Sequence, residues 1–195
     1  MPGPSRRTRS ALLTELVELF LVEGFAKVSL ASLAERLHCS KSTLYAVAAS
    51  KEQIVVAAVR EFFKRATGRI EARVGTMGDP AARLEQYLAA VSDELKPATA
   101  RFYADLLAFA PANEVYRDNT LLAARRVQEL VTEGVASGRL RPVHAAFVGA
   151  AVTQIMTGIQ RGQIGAATNL DDAEAYRYLA DLVLRGLAIQ PSGRQ

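Results

Sequence analysis

The chain has one cysteine, no tryptophan and two histidines in 195 residues. One thiol cannot close a disulfide within the chain, so no disulfide framework holds the fold. His38 and His144 are far apart and only Cys39 joins them, which gives no standard zinc spacing; neither metal nor other cofactor is expected. No stretch approaches the roughly 18 uninterrupted apolar residues of a membrane-spanning helix. The opening MPGPSRRTRS leads into a segment carrying Glu15, Glu18 and Glu23, unlike the acid-free core of a signal peptide. A reducing cytoplasm is the expected setting, away from membranes. There is no Gly-x-x-x-x-Gly-Lys-Ser/Thr phosphate loop and no Gly-x-Ser-x-Gly nucleophile elbow. Asp105, Glu129 and Asp181 are spread over different helical segments, so no catalytic residues and no enzyme activity are expected.

What remains is half hydrophobic and 23% charged, enough for the core of one large or two small domains. The net charge of +4 divides unevenly. Residues 1–70 carry 11 basic and 6 acidic side chains, net +5, whereas residues 71–195 carry 13 and 14, net −1. The positive end points to a polyanion as partner of the N-terminal part alone.

Apolar spacing is helical almost throughout. Leu12, Leu16, Leu19 and Phe20 follow i, i+4, i+7, i+8, and Leu84, Tyr87, Leu88, Val91 and Leu95 follow i, i+3, i+4, i+7, i+11. Pro80, Pro97, Pro111 and Pro142 are spaced as helix starts, while Gly24 and Gly138 are placed as helix ends. No run of period two appears. The pattern predicts an all-α protein of about nine helices, over residues 6–23, 29–37, 40–46, 51–73, 80–95, 97–110, 113–137, 142–163 and 171–189. Asp171 and Glu174 are spaced as a capping box opening the last of them. Near residue 50 short, tightly punctuated helices give way to long ones, which sets expected domains of 1–50 and 51–195.

Residues 29–46 read SLASLAERLHCSKSTLYA, two short helices joined by about three residues. Ser29 and Ser40 are placed to accept first-turn N–H groups. Leu30, Leu33, Ala34 and Leu37 give the first an inward face; Leu44 and Val47 do so for the second. Small Ala34 allows a close crossing, as a helix-turn-helix requires. Lys41, Ser42, Thr43 and Tyr45 are left facing outward, one cation and three hydroxyls suited to phosphate oxygens and base edges.

Gly24-Phe25, the 29–45 stretch and Ser50-Lys51-Glu52 together resemble the N-terminal domain of TetR-family transcriptional regulators over about 50 residues. That pattern runs Gly-aromatic, Ser/Thr-x-x-x-Ile/Leu-Ala, Val-Ser-x-x-Thr-Leu-Tyr and Lys-Glu. The resemblance implies that residues 29–37 support and 40–46 recognise double-stranded DNA. It implies groove or backbone contacts from Lys41, Ser42 and Thr43, and phosphate contacts from Tyr45 and Lys51. Lys51 also opens a helix, where backbone amides favour an anion. Three departures stand out. His38 replaces the usual turn glycine, at a position expected to need positive φ; Cys39 replaces an aliphatic residue; and Ala46, Val47 and Ala48 stand where aromatic or histidine residues are common. The cluster Arg6, Arg7 and Arg9 reads either as an arm reaching phosphates or the minor groove, or as a solubilising terminus.

In the rest of the chain, residues 142–163 and 171–189 are apolar on more than one side. Val148, Val152, Ile155 and Ile159 form one stripe, and Leu179, Val183 and Leu187 another. A helix apolar nearly all round must be buried all round, which predicts a second copy across these helices. This agrees with the four-helix homodimer interface that the resemblance implies. The resemblance also implies a pocket for a small apolar or amphipathic effector, with Phe102, Tyr103, Leu106 and Phe109 as guesses at its lining. The expectation is a homodimeric repressor that an effector releases from its operator. The alternative is a helical small-molecule binding protein with a degenerate DNA-binding domain.

Overall fold

The computed structural model describes residues 8–189, and among them every regular element is a helix. There are ten: α1 Arg9–Glu23, α2 Leu30–Arg36, α3 Lys41–Tyr45, α4 Lys51–Val74, α5 Pro80–Leu95, α6 Ala100–Ala108, α7 Ala110–Ala136, α8 Ala145–Gln160, α9 Gln163–Thr168 and α10 Asp172–Leu187. The all-α expectation holds, with one more helix than predicted. α9 has six residues between left-handed Gly162 (φ 69°) and Asn169 (φ 60°), too short to show a period. α7 starts three residues earlier than predicted. Phe109 turns extended, its carbonyl accepts from the Ala112 and Asn113 amides, and Pro111 sits in the first turn, where it forfeits no hydrogen bond.

Contacts divide the chain into two compact units, one of residues up to 65 with 97–116, the other of 66–96 with 117 onward. α4 and α7 contribute residues to both. In the first unit α1 buries Leu12, Leu13, Leu16, Val17, Phe20 and Leu21. The Thr8 hydroxyl caps its start by accepting from the Ala11 amide at 3.2 Å. α6 packs against α1, and an aromatic cluster fills the space under the N-terminal helices. Phe25 sits edge-on to Phe20, Phe102 and Phe109, and Phe62 to Phe102, with centroids 5.8–6.2 Å apart. Edge-to-face pairs at this spacing add to the burial of large apolar rings. Phe63 stacks on Tyr116 at 5.4 Å.

In the second unit α10 packs on α5 and α8, burying Ala175, Tyr176, Leu179, Ala180, Val183 and Leu187. The capping box at its start is formed: Asp171 accepts from the Glu174 amide at 2.8 Å, and Glu174 accepts from the Asp171 amide at 3.2 Å. α8 is capped by His144, whose Nδ1 accepts from the Phe147 amide at 3.1 Å. Arg69 grips both carboxylate oxygens of nearly buried Glu94, and Arg126 joins Glu71. Burial, with Glu71 nearby, pushes the Tyr87 hydroxyl well above its ordinary pKa.

Candidate nucleic-acid interface

α2 and α3 are too short to be stable alone, and three local devices hold them. Each has a serine cap. The Ser29 hydroxyl accepts from the Ser32 amide and the Ser40 hydroxyl from the Thr43 amide, both at 3.1 Å. The turn between them is set by His38 at φ 47°, the positive value expected of this position, with the Cys39 amide donating to the Ala34 carbonyl at 2.9 Å. The inward faces are buried: Leu33 and Leu44 completely, Ala34, Leu37 and Val47 nearly so. Cys39 is half-buried.

The burial of Leu44 fixes which way the rest of α3 points. Lys41 and Ser42 are exposed, Thr43 is half-buried, and Tyr45 is 48% exposed. The three hydroxyls at the helix start are in contact: Ser40 Oγ lies 2.6 Å from Ser42 Oγ and 2.8 Å from Thr43 Oγ1. They hydrogen-bond to one another through Ser40. Ser29 is exposed at the start of α2. Lys51 is half-buried, and its ammonium donates to the Ala26 carbonyl at 3.2 Å, so it ties the α1–α2 turn to α4. Ser50 caps α4 by accepting from the Gln53 amide, and Gln53 Oε1 accepts from the Ala49 amide, one residue before the cap. The Glu52 carboxyl is held below its ordinary pKa by hydrogen bonds from its own backbone amide and the Ser50 side chain. Arg36 and Glu23 pair at the surface, and the hydrogen bond lowers the pKa of the acid and raises that of the base. Arg9 is exposed, with its guanidinium against the Val47 carbonyl; Arg6 and Arg7 lie outside the described residues.

A clasp between residues distant in the sequence secures the α1–α2 turn. Asp105 Oδ2, on α6, accepts from the Phe25 amide at 2.5 Å and the Ala26 amide at 2.8 Å. The Thr99 hydroxyl lies 3.0 Å from both the Leu21 and Val22 carbonyls, so it can donate at the free end of α1. Gly24 has φ 73°, and a Cβ there would collide with the Asp105 carboxylate. The sequence shows Gly24 as a helix stop and Asp105 as a lone acid; nothing in the spacing joins residues 80 apart.

Among the described residues, no three His, Cys, Asp or Glu side chains group as a metal site, and no helix is long and apolar enough to cross a membrane. Of the residues guessed to line an effector pocket, Phe102, Tyr103 and Leu106 are buried in the aromatic core. Phe109 instead borders a cavity of about 290 Å³ that also touches Phe25, Lys51, Glu52, Val55 and Asp105. In the second unit an apolar groove of about 500 Å³ runs between α8 and α10. Val148, Val152, Ile155, Leu179, Val183 and Leu187 line it. Val152, Ile159, Leu179, Val183 and Leu187 are buried within the chain, whereas Val148 and Ile155 are half-buried. Two further groove residues, Phe147 and Leu182, are 71% and 64% exposed.

Residues 12–63, which span the clasped turn, both short helices and the start of α4, match the family model of bacterial regulatory proteins of the tetR family. That segment is a TetR-type N-terminal domain. Solved structures share the TetR fold well beyond the matched segment. A transcriptional regulator of the TetR/AcrR family from Thermobifida fusca is 23% identical, with a TM-score of 0.64 over 91% of this chain and 97% of that one. A TetR transcription regulator from Haloarcula marismortui is 15% identical, with a TM-score of 0.72 over 93% and 98%. A protein of Saccharomonospora viridis, solved in complex with choline, is 18% identical, with a TM-score of 0.71 over the same shares. At such identities the likeness is one of fold. No curated protein matches the chain in sequence.

Proposed function

We propose that this chain is a TetR-family regulator, a homodimeric, sequence-specific repressor whose residues 1–50 read an operator and whose residues 51–195 dimerise and bind a small apolar or amphipathic effector. The observation that carries the reading is the outward face of α3. Lys41, Ser42 and Tyr45 are exposed over a fully buried Leu44, and the hydroxyls of Ser40, Ser42 and Thr43 lie together at the helix start. A cation and hydroxyls on one outward face suit phosphate oxygens and base edges. Two copies would place two such faces one helical turn apart, about 34 Å, on a near-palindromic site.

The apolar α8–α10 groove, with exposed Phe147 and Leu182, supports the dimer. The choline bound to the Saccharomonospora viridis protein supports a small-molecule effector for this fold. Such an effector must prefer the DNA-incompetent form. Moving the population from 99:1 to 1:99 takes about 5.5 kcal/mol of differential binding.

The test starts with selection of a duplex from a randomised library by the full chain, followed by mobility shifts at two salt concentrations. Retention of a palindromic sequence, lost in a Lys41→Ala, Ser42→Ala double variant, is the expected result. Binding that ignores sequence, or survives the double variant unchanged, would refute the assignment of α3 as the reading helix.

A further inference from the structure

α3 packs chiefly on α2, and the residues that follow are Ala46, Val47 and Ala48. Ala46 is exposed and Ala48 half-buried, so neither offers a polar or bulky side chain to fix the junction with α4. Val47 is 5% exposed, which leaves its carbonyl in one place. Onto that carbonyl come two N–H groups of one side chain: Arg9 Nε and Nη2 both donate at 3.3 Å, from the first residue of α1. This carbonyl lies just past the Ala46 cap of α3, in the junction to α4. The Arg9 guanidinium therefore joins the start of α1 to the segment that follows α3.

We propose that Arg9 is a positioning residue for the recognition helix and not a phosphate contact of a flexible arm. This deepens the DNA-reading assignment above and rests on it. Arg9 sets the angle at which Lys41, Ser42 and Tyr45 meet the groove. Its loss lets a five-residue helix pivot about Leu44. Contacts to bases depend on that angle much more than loose attraction to phosphates does.

Full-length wild type, Arg9→Ala and Arg9→Lys are compared on the duplex that wild type selects and on a scrambled one, across a salt series. The clamp predicts that Arg9→Ala lowers the specific-to-nonspecific affinity ratio about tenfold, the loss of one hydrogen bond to a charged group. The slope of log K against log salt should stay unchanged, and Arg9→Lys, which lacks the two-pronged grip, should not restore the ratio. A merely destabilised protein would bind both duplexes less and leave the ratio alone. A slope smaller by about 0.9 per arm, with affinity restored by lysine, would overturn the proposal in favour of a phosphate contact; so would an unchanged ratio in Arg9→Ala.

Hydrogen exchange of the free protein gives a readout that needs no DNA. The Ala46 and Val47 amides donate within α3 to Ser42 and Leu44, and the clamp predicts their faster exchange in Arg9→Ala, with α5 and α10 unaffected. Unchanged exchange there refutes the clamp. Failure of wild type to select any duplex refutes the DNA reading instead, and exchange then decides the clamp alone.

Discussion

Replacement of Gly24 by alanine tests the Asp105 clasp through two penalties that are separable. Gly24 has φ 73° and ψ −175°, a region that only glycine occupies comfortably, and forcing alanine there costs about 2 kcal/mol. The new Cβ also collides with Asp105 Oδ2. The carboxylate must then leave, and its bonds to the Phe25 and Ala26 amides break. Ala26 is exposed and its amide can turn to water, but Phe25 is 3% exposed and its amide is only partly accessible. Losing a charged acceptor under such conditions costs about 2 kcal/mol. Gly24→Ala should therefore destabilise by about 4 kcal/mol. Asp105→Ala alone should do so by about 2 kcal/mol.

The double variant should lose about 4 and not about 6 kcal/mol, because the collision has vanished with the carboxylate; the coupling is then about 2 kcal/mol. Urea unfolding of the four proteins by linear extrapolation, with a common m value, measures it. Penalties that add to within about 0.5 kcal/mol would refute the claim that the glycine is needed for the approach of the carboxylate.

Three further outcomes are expected. Lys41→Ala should lower the slope of log K against log salt by about 0.9 per copy in operator binding; an unchanged slope would take Lys41 off the phosphate backbone. Phe147→Asp with Leu182→Asp should turn dimers into monomers in sedimentation while helicity and unfolding midpoint hold, since both side chains are already in water in a single chain; an unaltered dimer would remove the α8–α10 groove from the interface. The pKa of Glu23 is depressed from its ordinary 4.5 first by the hydrogen bond from Arg36. The pair's contribution is thus present above that value and is lost as pH falls through the lowered one. Carboxyl NMR should find Glu23 titrating below 4.5 in wild type and closer to it in Arg36→Ala; equal midpoints would mean the pair does not persist in solution.

Several of these features are local, and local chemistry can be read along a chain. The serine caps of α2 and α3, the positive φ at His38, the stop at Gly24 and the capping box at Asp171 each depend on neighbours within four residues. So does the orientation of α3, because a buried Leu44 leaves only one outward side for Lys41, Ser42 and Tyr45. α9 escaped notice because six residues between two left-handed positions make no repeat.

The sequence by itself determined an all-helical chain with a helix-turn-helix near its start, since periodicity, caps and turn residues act over a single turn of backbone. Only the tertiary structure decided that Asp105 holds the α1–α2 turn, that Arg9 meets Val47, and that Phe102 and Leu106 fill a core while Phe109 borders a cavity. It also decided that the chain's own packing leaves Phe147 and Leu182 exposed where it covers Val152 and Leu187. These outcomes depend on which helices pack together. Residues tens of positions apart then compete for the same space, and an apolar side chain carries no mark of whether its own chain or another molecule will cover it.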